Sequence, residues 1–264
     1  ETFKNYNPDL LFFGHTKNIA IETISQFRTM NKNLTISQWN EDPIMPSLDY
    51  SKTNIKNISN YASLVDHNFI TTDPGVFKKQ NTDIKNLHFF FVPVDQNIEC
   101  FDVYKLNPTR DIFYAMSHGV NRATLKKGKI DSRINFLNSL IKKIDNINYD
   151  FYGFENKEPI WGNNFYKALV SSKMGLNLSR GLPTKYYSSN RIASLMGNGL
   201  LTFIDRKTQM NDFFNNNEII FYDNITDLSD KIKFYKKNES LRIKIARNGK
   251  KKYFKLFNEL KTTK

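Results

Sequence analysis

Met174-Gly175-Leu176-Asn177-Leu178 leads through Ser179-Arg180-Gly181-Leu182-Pro183-Thr184-Lys185-Tyr186-Tyr187-Ser188 into Ser189-Asn190-Arg191-Ile192-Ala193-Ser194-Leu195-Met196-Gly197. Leu200-Leu201-Thr202-Phe203-Ile204 then closes the stretch. The outer segments are short apolar runs bounded by turn residues, the signature of buried strands. Between them, Ser189 and Asn190 are cap-type residues ahead of a segment with helical spacing of its apolar positions. Strand, helix and strand in that order form the building block of a parallel α/β sheet.

The same alternation extends in both directions. Further strands are predicted at 111–116, 149–153 and 219–222. Helices are predicted at 163–172, 226–236 and 239–260, the last broken at Gly249. Another helix carries Ile134, Leu137, Leu140, Ile141 and Ile144 on one face, capped by Asp131 or Ser132. Upstream of the break at Leu106-Asn107-Pro108 the pattern starts afresh. Strands are expected at Leu10 to Phe13, Leu34 to Trp39, Asn68 to Thr71 and His88 to Val92. A helix capped by Thr16 carries Ile21, Ile24 and Phe27, and another carries Ile55, Ile58, Ala62 and Val65. The expected fold is α/β, with two Rossmann-like domains facing a cleft: residues 1–106 and 107–264. The stripe Tyr253, Phe254, Phe257 and Leu260 is expected to pack back on the first domain.

Apolar residues make up 39% of the 264 and aromatics 14%, enough to build cores rather than a disordered chain. No apolar run is long enough to span a bilayer. The chain begins Glu1-Thr2-Phe3-Lys4, without initiator Met or apolar leader, so a start inside a longer protein is expected. Cys100 is the lone cysteine, which excludes an internal disulfide and fits a reducing compartment. The four His (15, 67, 88 and 118) show no ligand spacing, so no metal site is expected. Lys and Arg number 39 against 26 Asp and Glu, a net +13. That surplus suits a polyanion: phosphorylated substrate, anionic membrane surface or nucleic acid. Asn and Lys are also over-used throughout, as in proteins of AT-rich genomes, so codon bias is a second source of the charge.

Ligands of open parallel sheets bind beyond the carboxyl ends of the strands. In the second domain that means just after 116, 178 and 204, and in the first after 13 and 39. After Met116 come His118, Gly119, Arg122 and Lys127: a small turn for an anion, with two cations. After Leu178 come Arg180, Lys185, Tyr186, Ser189, Asn190 and Arg191, cations and aromatics around a helix start whose amides are expected to be free. A capped helix with half-buried tyrosines, and a solvated lysine-rich loop, are the plain alternatives for these two segments.

Asn190-Arg191-Ile192-Ala193-Ser194-Leu195-Met196-Gly197-Asn198-Gly199 and Leu200 to Asp205 resemble the nucleotide-sugar domain of GT-B glycosyltransferases, especially the CgeB-like spore-protein group. Phe213-Phe214, Glu218 to Tyr222 and Leu228 to Tyr235 resemble the family's blocks on the carboxyl side of that strand. Tyr149 to Phe154, Trp161 and Lys173 to Leu178 resemble its blocks on the amino side. Asp111 to Met116, with the helix from Arg133 to Leu140, resembles the opening of that domain. Trp39 to Asp42, Phe69 to Asp73 and Val92 to Asp95 fit the latter part of the N-terminal domain. The order of these blocks, rather than any single one, carries the resemblance, which is strongest at 149–235. It implies an N-terminal domain that is incomplete here.

Many retaining members carry two Glu in the helix region, the second bonding the donor's ribose. Those positions hold Tyr186 and Ser194 in this chain. A serine makes neutral hydrogen bonds where a carboxylate makes charge-assisted ones of about twice the strength.

The expected function is therefore glycosyl transfer from a nucleotide sugar to a glycan, lipid-linked or protein acceptor. The donor is a substrate and no cofactor or metal is implied. His118, Gly119, Arg122, Lys127, Lys185, Tyr186, Ser189, Asn190, Arg191 and Ser194 are the donor-binding candidates. His15 and Asp42, at strand ends of the first domain, are the candidate bases. A cytoplasmic location is expected, with peripheral contact to an anionic membrane face. A non-catalytic sugar- or nucleotide-binding module of the same fold is the alternative. A basic nucleic-acid binder is a third reading that no motif supports.

Overall fold

In the computed structural model, residues 1–14, 19–45, 49–78, 84–117 and 131–262 are described, with the backbone alone at 49 and 50. The chain divides into two compact units. One holds Glu1–Phe91 and Thr184–Tyr187, the other Val92–Pro183 and Ser188–Lys264.

The first unit begins with α1 (Thr2–Tyr6) and β1 (Leu10–Gly14), followed by α2 (Ile21–Met30), β2 (Thr35–Asn40) and α3 (Asp49–Tyr61). It continues with β3 (His67–Ile70), α4 (Gly75–Lys78) and β4 (Leu87–Phe89). Its four strands run parallel in the order β1-β2-β3-β4, with Leu11 opposite Ile36 and Trp39 opposite Phe69. Alternation along β1 sends Leu11 and Phe13 to one face, where they meet Ile24, Phe27, Ile36 and Tyr61. Leu10 and Phe12 point the other way and are 55% and 44% exposed.

The second unit holds β5 (Arg110–Ala115), α5 (Ser132–Ile141), β6 (Tyr149–Tyr152), α6 (Gly162–Val170), β7 (Ser172–Asn177) and α7 (Arg191–Gly197). These are followed by β8 (Leu201–Asp205), β9 (Ile220–Tyr222), α8 (Ile225–Lys237), α9 (Glu239–Phe257) and α10 (Glu259–Thr262). The five strands are all parallel, in the order β6-β5-β7-β8-β9. Both faces are covered. Ile112 and Tyr114 pack with Leu137, Leu140, Leu228 and Ile245 from α5, α8 and α9. Phe113 and Ala115 pack on the opposite side with Leu169 and Leu195 from α6 and α7.

The expected strand–helix order is present, and two expectations change. The division falls at Phe91/Val92 rather than at residue 106. The segment after Val92 is tied into the second unit: Tyr253 donates to the Val92 carbonyl at 2.8 Å, Val94 N to Phe257 O at 2.9 Å, and Val103 N to Asn198 O at 3.0 Å. Asn107-Pro108 is thus only the turn into β5. Within the second unit, Phe214 packs on Tyr253 and Phe257 of the C-terminal stripe.

The second change concerns Gly249, where α9 runs on without a break. A Cβ there would stand 2.2 Å from the Glu218 carbonyl oxygen. The glycine lets the chain ahead of β9 touch the helix, and that contact offsets the roughly 1 kcal/mol a helical glycine costs.

Candidate functional site

In the second unit, β5 connects first to β6 on one side and then, through α6, to β7 on the other. The strand order therefore reverses between β5 and β7, and their carboxyl ends form the crevice where such sheets bind ligands. Tyr114, one residue from the end of β5, donates its hydroxyl to the Leu178 carbonyl at 3.1 Å. The Arg191 guanidinium lies 4.6 Å from the centre of the Tyr114 ring. Its Nε donates to Ala115 O at 2.7 Å, and Nη1 donates to Leu178 O at 3.2 Å and to the Ser189 hydroxyl at 3.0 Å. Arg191 thus clamps the ends of β5 and β7 together.

A second arginine stands at the start of α5. Asp131 caps that helix by accepting from Arg133 N at 2.9 Å, and the Arg133 side chain grips the same carboxylate, with Nη2 to Oδ2 at 2.7 Å. Arg133 is 8% exposed and Asp131 1%. Burial works against the Arg133 charge, but neighbouring Tyr114 and Asp131 outweigh it and hold the guanidinium protonated. Two cations and a tyrosine therefore meet at the switch point. Arg133 and Tyr114 were not among the sequence candidates. The signal for Arg133 was local: an arginine in the first helical turn after the unit's first strand.

Around Arg191, Asn177 Nδ2 donates to the Ser188 hydroxyl at 2.7 Å, and Ser189 N donates to the Ser179 hydroxyl at 3.1 Å. The expected helix start is different in detail. Asn190 is already helical in its backbone and makes no side-chain cap. Ile192 N and Ala193 N are taken by Ser189 O and Asn190 O at 3.0 and 3.1 Å. These two amides are therefore not free for an anion, and the positive charge here comes from side chains. Ser194 is half-buried, its carbonyl taken by Asn198, while its hydroxyl makes no hydrogen bond among the described residues.

Lys185 and Tyr186, expected beside Arg191, belong to the first unit. Lys185 Nζ is 3.3 Å from Asp73 Oδ2 and its carbonyl accepts from Asp73 N at 3.1 Å. Desolvation opposes the ammonium charge, and the Asp73 carboxylate more than restores it, raising the Lys185 pKa. Tyr186 sits at φ 62°, a left-handed conformation unusual for a non-glycine residue, with its ring 5.4 Å from Phe89. Asp42 follows the end of β2, as expected, and its carboxylate accepts from Asn54 Nδ2 at 3.2 Å. His15, His118, Gly119, Arg122 and Lys127 lie outside the described residues.

The remaining histidines meet, which their spacing in the chain did not reveal. Parallel pairing of β3 with β4 sets Phe69 opposite His88 and leaves His67 Nδ1 3.3 Å from His88 Nε2. Among the described residues, no three His, Cys, Asp or Glu are grouped to hold a metal ion, and no helix is long and apolar enough to cross a membrane.

Residues 131–258 match the family model described as glycosyl transferase-like. No curated protein matches the sequence. Among solved structures, TarM superposes with a TM-score of 0.66 at 15% identity, over 99% of this chain and 55% of TarM. Sucrose-phosphate synthase from Thermosynechococcus elongatus gives 0.62 at 10% identity, over 99% of this chain and 72% of its own. HepE of Anabaena in complex with UDP gives 0.61 at 10% identity, over 99% and 77%. The chain thus spans about half the length of TarM. The fold is the Rossmann-like GT-B type, and the stretch that matches the glycosyl transferase-like model lies in its second unit apart from Thr184–Tyr187.

Proposed function

We propose that this chain is part of a glycosyltransferase that moves a sugar from a nucleotide-activated donor to a hydroxyl of a glycan, lipid-linked or protein acceptor, as in polysaccharide assembly. The observation that carries the reading is the meeting of Arg133 and Arg191 around Tyr114 at the β5/β7 switch point. A nucleotide diphosphate gathers negative charge as it leaves, and preorganised cations at that point stabilise it in the transition state. Arginine charge can do this without a metal. Arg122 and Lys127 belong to the same proposal by their place in the sequence after Met116. HepE, determined with UDP and with UDP-glucose, supports a uridine diphosphate sugar as donor. The second unit is the donor side and the first the acceptor side, with Asp42 or His15 taking the acceptor proton. The CgeB-like group is the finer assignment this reading carries. The basic surplus suits work at the inner, anionic face of a membrane.

Calorimetric titration with UDP tests this reading. The parent binds, and Arg191→Gln weakens binding by about 1.5–3 kcal/mol, the worth of a charged hydrogen bond. Equal affinity in a folded variant overturns the assignment. Ser194 favours a second reading, a module that binds a nucleotide sugar without turning it over, because a neutral hydroxyl stands where the resembling enzymes have a carboxylate. Binding of UDP-glucose with no UDP released, with or without acceptor, selects that reading.

A further inference from the structure

Asn177 closes β7, one residue before the Leu178 carbonyl that accepts from Arg191. It is 3% exposed, so it has almost no surface to offer a ligand. Ser188, its partner in the turn that follows, is 1% exposed. Buried polar side chains of this kind persist where they are hydrogen-bonded, because each one left unpaired costs stability. Both are bonded here, and the bonds lead to Arg191.

The direction of those bonds is fixed. Arg191 Nη1 donates to Ser189 Oγ at 3.0 Å. A guanidinium carries donors only, so the hydroxyl must meet it with a lone pair and send its single proton elsewhere. Ser189 Oγ donates that proton to Asn177 Oδ1 at 3.4 Å. The other end of the carboxamide sets its orientation. Nδ2 donates to Ser188 Oγ at 2.7 Å, the shortest bond of the set, and Ser188 Oγ donates its own proton to Ser189 O at 3.1 Å. A reversed carboxamide would take the acceptor away from Ser189. The Ser189 backbone is held as well: its N–H donates to Ser179 Oγ at 3.1 Å, and its carbonyl accepts from Ile192 N at 3.0 Å.

We propose that Asn177 is a positioning residue, which acts through the Ser189 hydroxyl to fix the Arg191 guanidinium in the orientation that receives the donor's diphosphate. This role rests on the nucleotide reading and adds to it a residue that works without touching the donor. A cation held in place before the anion arrives loses little conformational freedom on binding, and it needs no reorganisation as charge develops on the leaving group.

The test is a double-mutant cycle read by calorimetric titration with UDP. It compares the parent, Asn177→Ala, Arg191→Gln and the double variant, each checked for folding by its melting transition. Asn177→Ala should weaken UDP binding about three- to tenfold, within the range for coupled neighbours. In the Arg191→Gln background the same substitution should change affinity less than about twofold, because the charge it positions is gone. A general loosening of the turn would lower affinity equally in both backgrounds, and that result overturns the proposal. Parent-like affinity in folded Asn177→Ala overturns it too. Ser189→Ala cuts the link while leaving Asn177 bonded to Ser188, so it keeps the test decisive if Asn177→Ala does not fold. It should weaken binding by a similar factor, again only where Arg191 is present, and parent-like affinity overturns the proposal. A parent chain that binds no UDP removes the nucleotide reading and this role with it. A parent that binds, with Arg191→Gln weakened and Asn177→Ala unchanged, removes the role of Asn177 alone.

Discussion

In the second unit, β5, β7 and β8 are buried along nearly their whole length, because helices cover both faces of their sheet. In the first unit, β1 alternates between exposed and half-buried positions, although Leu10-Leu11-Phe12-Phe13 is as apolar as any strand of the other sheet. An unbroken apolar run is the usual mark of a parallel strand buried on both sides. The first unit shows that the run reports what a strand can bury, while the layers around it decide what it does bury. The consequence for energetics is that equivalent substitutions should weigh very differently in the two sheets.

The largest contrast is expected between two phenylalanines. Phe203 in β8 is fully buried and Phe12 in β1 is 44% exposed. Phe203→Ala should cost about 3–5 kcal/mol, and Phe12→Ala less than about 1 kcal/mol, in urea unfolding followed for each variant. Equal losses would show that the open face of the first sheet is covered in solution.

Ion pairs should repeat the contrast on a smaller scale. Asp131→Ala leaves the Arg133 guanidinium buried without its carboxylate and should cost about 3 kcal/mol. In the first unit the Arg28–Asp66 pair, at 2.8 Å, is more than a third exposed on both sides, and Arg28→Ala should cost about 1 kcal/mol. Similar thermal shifts in the two variants would break the comparison.

Acid offers a third measure. Burial pushes the Asp102 carboxyl up, but hydrogen bonds from Lys105, Tyr104 and Lys250 bring it down from 3.8 to about 2. A depressed folded-state value means that the stabilisation is complete above pH 3.8 and drains away as pH falls toward 2. With solvent screening allowed for, it amounts to about 1 kcal/mol. Asp102→Asn should therefore melt earlier than the parent at pH 6 and at the same temperature near pH 2. A constant difference across that window would show that the contact, not the charge, matters.

The smallest effect is expected at Ser194. Its hydroxyl has no partner among the described residues, so Ser194→Ala should leave stability within about 0.5 kcal/mol. If a ribose docks there, nucleotide affinity should fall by only about 0.5–1.5 kcal/mol, as titration with UDP would show.

Much of the fold was legible in the chain. Apolar runs bounded by turn residues placed the strands to within a residue or two, except that β4 ends at Phe89, three residues before the expected Val92, and their alternation with helical stripes implied parallel sheets. The cap of α5 was narrowed to Asp131 or Ser132 because cap chemistry is local, and the structure selects Asp131. What failed were inferences that turn on distant neighbours. Gly249 looks like a helix end until the Glu218 carbonyl is brought against it. Asn107-Pro108 looks like a domain junction until Val92 to Val103 is found bonded to Asn198 and Tyr253. Lys185 and Arg191 look like one cluster, yet they fall in different units.

By itself, the sequence determined the class of fold, the order of its elements and the strand ends where a ligand belongs, since apolar periodicity, caps and turns act between near neighbours. Which side chains serve those strand ends was decided by tertiary structure alone. The crossover from β6 through α6 to β7 set the switch point. The carbonyls of Ala115 and Leu178 then claimed the Arg191 guanidinium, Asp131 drew Arg133 into the same place, and Tyr222 was left with a buried hydroxyl that has no partner among the described residues. These are contacts between residues far apart in the chain, set by strand order and register, and no local pattern encodes them.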